Sequence, residues 1–226
     1  MHRPIPLILT SLLVAVAGCG DDAQPPPPFD DVEVQPSSTN PEGIAYPTED
    51  LGARPRSTSA PGQRIPNFAF QGYPDSDRSQ GLRVVSMADL FDPSGSKRKV
   101  LHLMAAVAWC PHCSAQTDAM GKVHESLRAK GVQVVQALMA GYEPSWAISL
   151  EDLDRWVDAH ATSFTVVFDV EGKRLSTVAS VSAVPWNALI DLRSMEVLKA
   201  HPGSPADYEA WVEDGLDWVA ENPPRD

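Results

Sequence analysis

The chain has 226 residues, 43% of them hydrophobic, and a formal net charge of −12. That length suits one ordinary domain with extensions, and that apolar content suits a packed core rather than disorder throughout. So acidic a chain is not a non-specific nucleic-acid binder, and no nucleic acid is expected as a partner.

The acidity is uneven. Residues 19–60 carry eight acids and two bases, and residues 206–226 carry seven acids and one base. Residues 61–205, with fifteen acids and fourteen bases, are close to neutral. The central stretch therefore reads as the folded unit, with solvated, solubilising charge on either side.

Residues 1–18 begin with a short basic start (His2, Arg3) and continue as an apolar run from Leu7 to Val16. The run is too short to span a bilayer and reads as the apolar region of a secretory signal. It ends in Val16-Ala17-Gly18-Cys19, which resembles the lipobox of bacterial lipoproteins. That resemblance implies cleavage before Cys19, a diacylglyceryl thioether on its sulfur and an acylated amine. Several acyl chains exceed the affinity of a single chain, which binds membranes only reversibly. The expected location is the bacterial cell envelope, lipid-anchored through Cys19 and facing the periplasm or extracytoplasmic space, where disulfides persist.

Residues 19–60 hold the proline run Pro25–Pro28 and further prolines at 36, 41, 47 and 55, mixed with Ser, Thr, Asn and acids. No apolar periodicity is visible. The stretch reads as a Pro-rich acidic tether, disordered and semi-stiff.

The expected domain covers 61–226. Phe68 and Phe70 alternate as in a short strand. Val84 to Phe91 reads as a strand fragment running into a helical turn, and Pro93 to Lys99 as a loop. Val100 to Val107 is continuously apolar, as in a buried central strand. Next comes Trp109-Cys110-Pro111-His112-Cys113, then a helical face of Ala119, Met120, Val123 and Leu127 with Gly131 as its stop. Val132 to Met139 is another strand. The C-x-x-C thus falls at the carboxyl end of the first strand of a βαβ unit, where open parallel sheets place their sites. A helix capped by Ser149, a strand at Thr165–Phe168, the stretch Val184 to Asp191, a hairpin and an acidic amphipathic helix containing Tyr208, Trp211 and Val212 complete the chain.

Ile65-Pro66-Asn67-Phe68, the strand and turn near Ser86–Leu90, and the apolar strand ending in Trp-Cys-x-x-Cys together resemble TlpA-like thioredoxin-fold proteins of the redoxin group. Val184-Pro185 before a strand, hairpin and final helix is the second mark, and the likeness covers about 61–222. It implies an α/β thioredoxin-like fold, with a central mixed sheet flanked by helices. It also implies that Pro185 is a cis-proline facing the C-x-x-C, leaves the Val184 backbone free to pair with a substrate strand, and bars a metal from bridging the two sulfurs.

Exchange chemistry needs an accessible thiolate of low basicity. Cys110 lies at a helix start, where unpaired N–H groups and the helix dipole favour negative charge. Pro111 lacks an N–H that would be orphaned there in any case. His112 can offer the Cys110 sulfur a hydrogen bond or a positive charge. Cys113, one turn on, can attack a mixed disulfide. Cys110 is therefore the expected nucleophile and Cys113 the resolving thiol, with Trp109 shielding the sulfur and offering apolar contact. The remaining cysteine, Cys19, leaves no pair for a structural disulfide framework.

The expected function is membrane-tethered, extracytoplasmic thiol–disulfide exchange with protein thiols and a redox partner protein, using the redox-active disulfide and no other cofactor. The Cys-Pro-His-Cys sequence is similar to the oxidising DsbA type. Thioredoxins carry a buried acid six residues before the first cysteine, and Met104 stands there instead. Both features tilt the reading towards an oxidising or isomerising poise. Two alternatives belong to the same fold. A thiol peroxidase would need Pro and Thr at the positions of Leu103 and Val107. A copper-binding metallochaperone of this fold typically spaces its cysteines by three.

Overall fold

A computed structural model describes residues 24–49, 51, 62–181 and 183–224. The expected leader 1–18 and Cys19 lie outside the described residues.

The sheet is built on β3 (Val100–Val107), all eight residues of which are buried. β4 (Val132–Ala140) pairs parallel to it on one side and β6 (Trp186–Asp191) antiparallel on the other. β5 (Thr165–Phe168) lies parallel to β4, and β7 (Glu196–Pro202) closes a hairpin with β6. An N-terminal hairpin, β1 (Ala69–Tyr73) and β2 (Arg83–Ser86), extends the β5 edge to give the order β2-β1-β5-β4-β3-β6-β7. A one-turn helix, α1 (Met87–Leu90), follows β2.

Three helices cover one face. Residues two apart on a strand, and register partners on neighbouring strands, point to the same side. His102 and Met104 on β3 therefore share a face with Gln136, the register partner of Met104 on β4. Gln136 contacts α2 (Pro111–Ala129) through Thr117 and α3 (Leu150–His160) through Trp156. His102 contacts Tyr208 and Trp211 of α4 (Tyr208–Glu221). Each helix starts as its sequence dictates. Pro111 opens α2 behind Cys110, and the Ser149 and Asp207 side chains accept backbone N–H groups at the starts of α3 and α4. Gly131, at φ +97°, ends the α2 turn in a conformation that a side chain would strain.

The tether expectation needs correction over 24–49. This stretch is a strap packed on the domain. Phe29 stacks on Phe168 with ring centroids 3.8 Å apart, and its N–H donates to the Ile148 carbonyl at 2.8 Å. The nearly buried Asp31 carboxylate accepts from Arg174 at 3.1 and 3.2 Å. Buried Asn40 donates to the Phe91 carbonyl at 3.0 Å, and the Tyr46 hydroxyl donates to the Ile65 carbonyl at 2.7 Å. Spaced two, nine and six residues apart, these anchors make no sustained helical or strand period, and each needs a partner from the distant domain. Periodicity is blind to such a segment.

Phe29→Ala is expected to loosen the start of the strap by about 1.4 kcal/mol, from lost stacking and apolar burial. The Phe29 amide should then exchange with deuterium roughly tenfold faster, with no change at β3 amides. Equal acceleration in both places would mean the strap is not a separate unit.

Candidate functional site: a dithiol at the start of a helix

Cys110 is the N-cap residue of α2, in extended backbone at φ −87° and ψ 115°. Its sulfur occupies the place of a capping oxygen and accepts the Cys113 N–H at 3.3 Å. The Cys110 N–H in turn donates to the Val107 carbonyl at 3.1 Å, which ties the motif to the end of β3. Both cysteines are buried and unlinked, Cys110 at 6% exposure and Cys113 at 0%. Burial pushes the Cys113 thiol well up, and its hydrogen bond with Cys110 adds to the rise. The inner sulfur therefore holds its proton, and Cys110 is the less deeply buried of the two.

Val184-Pro185 is a cis peptide, and the Val184 carbonyl lies 3.9 Å from the Cys110 sulfur as the acceptor of its thiol. Trp109 is exposed at 46%, the apolar flank of the motif. Pro111 and His112 are exposed at the start of α2. The hydrogen bonds described at the Cys110 sulfur run to Cys113 and Val184, and the His112 imidazole is not among them. The His112 carbonyl accepts from Ser204 at 3.4 Å. Seven expected site residues, Trp109 to Cys113 with Val184-Pro185 facing them, thus meet in one place. Cys19 falls outside the described residues.

Beneath the motif lies polar structure that sequence reasoning missed. Asn187, two residues after Pro185, sits at the centre of it. Its Oδ1 accepts from His102 Nε2 at 2.8 Å and from Gln116 at 2.5 Å, while its Nδ2 donates to the Gly203 carbonyl at 2.9 Å. The Tyr208 hydroxyl donates to His102 Nδ1 at 3.1 Å. Gly203 closes the loop by donating to the Pro185 carbonyl at 2.7 Å. This chain ties the Pro185 segment to α2 and α4. A second cluster fills the space beside Met104, where thioredoxins carry an acid. Gln136 Nε2 reaches Met104 Sδ at 3.3 Å and Thr117 Oγ1 at 2.7 Å, and Trp156 donates to Gln136 Oε1 at 2.8 Å. Thr117 donates to the Cys113 carbonyl at 2.8 Å. A polar residue inside an otherwise apolar strand was the available signal for both Gln136 and Asn187.

An open groove of about 550 Å³ lies at the carboxyl end of β3, walled by Val107, Met139, Trp146, Ile148, Val170 and Val181. Pro25–Pro28 and Ser145–Ala147 line a second groove. Among the described residues no three His, Cys, Asp or Glu side chains are grouped so as to hold a metal ion.

The model of the AhpC/TSA family matches residues 61–214. The chain belongs to the AhpC/TSA family. Solved structures are similar to this chain in fold. A protein assigned as the thiol:disulfide interchange protein DsbE of Chlorobium tepidum is 28% identical, with TM-score 0.53 over 70% of this chain and 98% of that one. A Neisseria meningitidis protein assigned as a thioredoxin is 24% identical, with TM-score 0.51 over 69% and 90%. A secreted thiol-disulfide isomerase of Corynebacterium glutamicum is 16% identical, with TM-score 0.54 over 70% and 86%. Comparison with curated proteins returns no match. This AhpC/TSA chain is therefore a thioredoxin-fold redoxin of TlpA-like build, an oxidoreductase of the thioredoxin type. The family match starts at residue 61, so the strap lies outside it.

Asn187→Ala leaves His102, Gln116 and the Gly203 carbonyl short of a partner. A stability loss of about 2–4 kcal/mol is expected, read by urea unfolding. Burial holds the His102 imidazole down at about 4, against the Asn187 hydrogen bond that raises it. Below an unfolded value near 6.5 the unfolded chain takes up a proton that native His102 refuses. Stability should therefore fall between about pH 6.5 and pH 4, by up to about 1.4 kcal/mol per pH unit for this residue, and level off below. His124, also held down by burial, adds to the slope. His102→Gln should remove one proton's worth of it, and an unchanged slope would mean that His102 does not titrate on unfolding.

Proposed function

We propose that this redoxin exchanges disulfides with protein thiols through Cys110 and Cys113, anchored by lipid on Cys19 and facing the extracytoplasmic side of a bacterial membrane. The observation that carries the exchange reading is the asymmetry of the pair. Cys110 caps α2 next to the surface, whereas Cys113 is buried with its thiol pushed up.

In the reducing direction, the Cys110 thiolate attacks one sulfur of a substrate disulfide. A Cys110–substrate disulfide forms, and the first substrate thiol leaves with a proton. Cys113 then loses its proton and attacks Cys110, which frees the second substrate thiol and closes Cys110–Cys113. Two electrons and two protons pass to the substrate, and a redox partner protein returns them. Oxidation runs the same steps backwards. In each direction the Cys113 N–H at the start of α2 points at the Cys110 sulfur. The Val184 backbone pairs with the substrate segment, Pro185 holds that segment against the sulfur, Trp109 gives it apolar contact, and His112 stands at the exposed rim.

A peroxidase function, which the family name invites, would place Pro and Thr on the strand before the nucleophile. Leu103 and Val107 occupy those positions, buried in β3. The name of the Corynebacterium relative, a secreted thiol-disulfide isomerase, supports the extracytoplasmic placement. No helix among the described residues is long and apolar enough to cross a membrane.

Cys110→Ser should lower insulin reduction and dithiol oxidation to the uncatalysed rate. Cys113→Ser should instead accumulate a mixed disulfide with substrate, visible on a non-reducing gel. Retained turnover in Cys110→Ser, or peroxide consumption that outpaces disulfide exchange, would reject the proposal.

A further inference from the structure

Among the described residues the strap's first bond to the domain is at Phe29, ten positions after Cys19. Whatever their conformation, ten residues reach at most about 36 Å. A free chain from Cys19 to Gly62 would reach about 150 Å. The strap removes most of that reach, because Phe29, Asp31, Asn40 and Tyr46 are each bonded to the domain.

The place of the clamp matters as much as its existence. β3, β4 and β5 run parallel, and their carboxyl ends are Val107, Ala140 and Phe168. Cys110 follows the first of these ends. Pro25–Pro28 share a groove with Ser145–Ala147, in the loop after the second, and Phe29 stacks on Phe168 at the third. Ser145, Trp146 and Ala147 line both the groove at the proline run and the groove that ends at Val107. The anchored end of the strap and the reacting sulfur thus share one edge of the sheet.

We infer that the strap holds the dithiol edge of this domain against the bilayer surface, so that its substrates are thiols and disulfides carried at the membrane rather than in the bulk phase. This rests on the lipid anchor and the exchange activity proposed above, and it adds the distance and orientation that the strap imposes. Confinement to a thin layer raises the effective concentration of membrane-bound partners and does nothing for soluble ones.

The test uses the lipidated, reduced protein in vesicles of phosphatidylethanolamine and phosphatidylglycerol. One substrate is a disulfide-containing peptide joined to a lipid headgroup by a short linker, and the other is the same peptide free in solution. The ratio of the two exchange rates is the readout. A Gly/Ser insertion of about 30 residues between Ala23 and Gln24 lifts the clamped domain away and should lower the ratio about three- to tenfold. The same insertion between Arg56 and Ser57 lies beyond the clamp and should leave the ratio within about twofold. An equal fall with both insertions, or no fall with the first, overturns the inference while leaving the anchor and the activity standing. Failure of the chain to float with vesicles rejects the anchor, and failure to react with the free peptide rejects the exchange activity. Either of those results also removes the inference.

Discussion

The hydrogen bond from the Cys113 N–H to the Cys110 sulfur is the contact on which the site depends. Helix starts need an acceptor for their orphaned N–H groups, and an oxygen from Ser, Thr, Asp or Asn usually supplies it. Here a cysteine sulfur takes that place at 3.3 Å. The same backbone demand that begins α2 therefore aims N–H groups at the atom that must carry negative charge. Pro111, with no N–H, adds no orphaned donor at the first position of the helix. Stability of the helix and reactivity of the sulfur follow from one arrangement.

The rest of the fold holds that arrangement in register. β3 brings the motif to the sheet edge, and the bond from Cys110 to the Val107 carbonyl keeps it there. The facing segment, Val184-Pro185, arrives on β6 and is locked from below by Asn187. Asn187 is bonded to β3 through His102, to α2 through Gln116 and to the loop after β7 through Gly203. Buried polar groups are costly unless paired, so a fully paired set such as this one favours a single packing of its elements. Gln136 plays a related part under Cys113, but as a neutral amide. It can bond Thr117 and Trp156, yet it cannot take the proton that an acid at the Met104 position would accept.

The strap joins the N-terminal stretch to the same edge of the sheet. Its composition, rich in proline and acids, is that of a linker, but its contacts are those of a packed segment. Four scattered side chains suffice because the backbone between them forms bonds of its own, such as Asn40 N–H to the Ile44 carbonyl at 2.8 Å and Tyr46 N–H to the Ser38 carbonyl at 3.0 Å. Proline lowers the entropy lost when such a segment docks.

The sequence alone determined the βαβ unit, the C-x-x-C at its strand-to-helix junction, Pro185 in the facing position, and the order of hairpin and final helix. Each of these is written within a few neighbouring residues, as an apolar run, a cap, a proline or a helical spacing. What only the tertiary structure decided is which isolated polar and aromatic side chains find one another. His102 meets Asn187 across 85 positions and Tyr208 across 106, and Arg174 meets Asp31 across 143. No local period encodes such pairs. A polar residue in a buried strand announces that a partner is required, but only the packed chain shows which one. The strap was illegible for the same physical reason: its stability comes from single contacts with distant elements, and not from any pattern of its own.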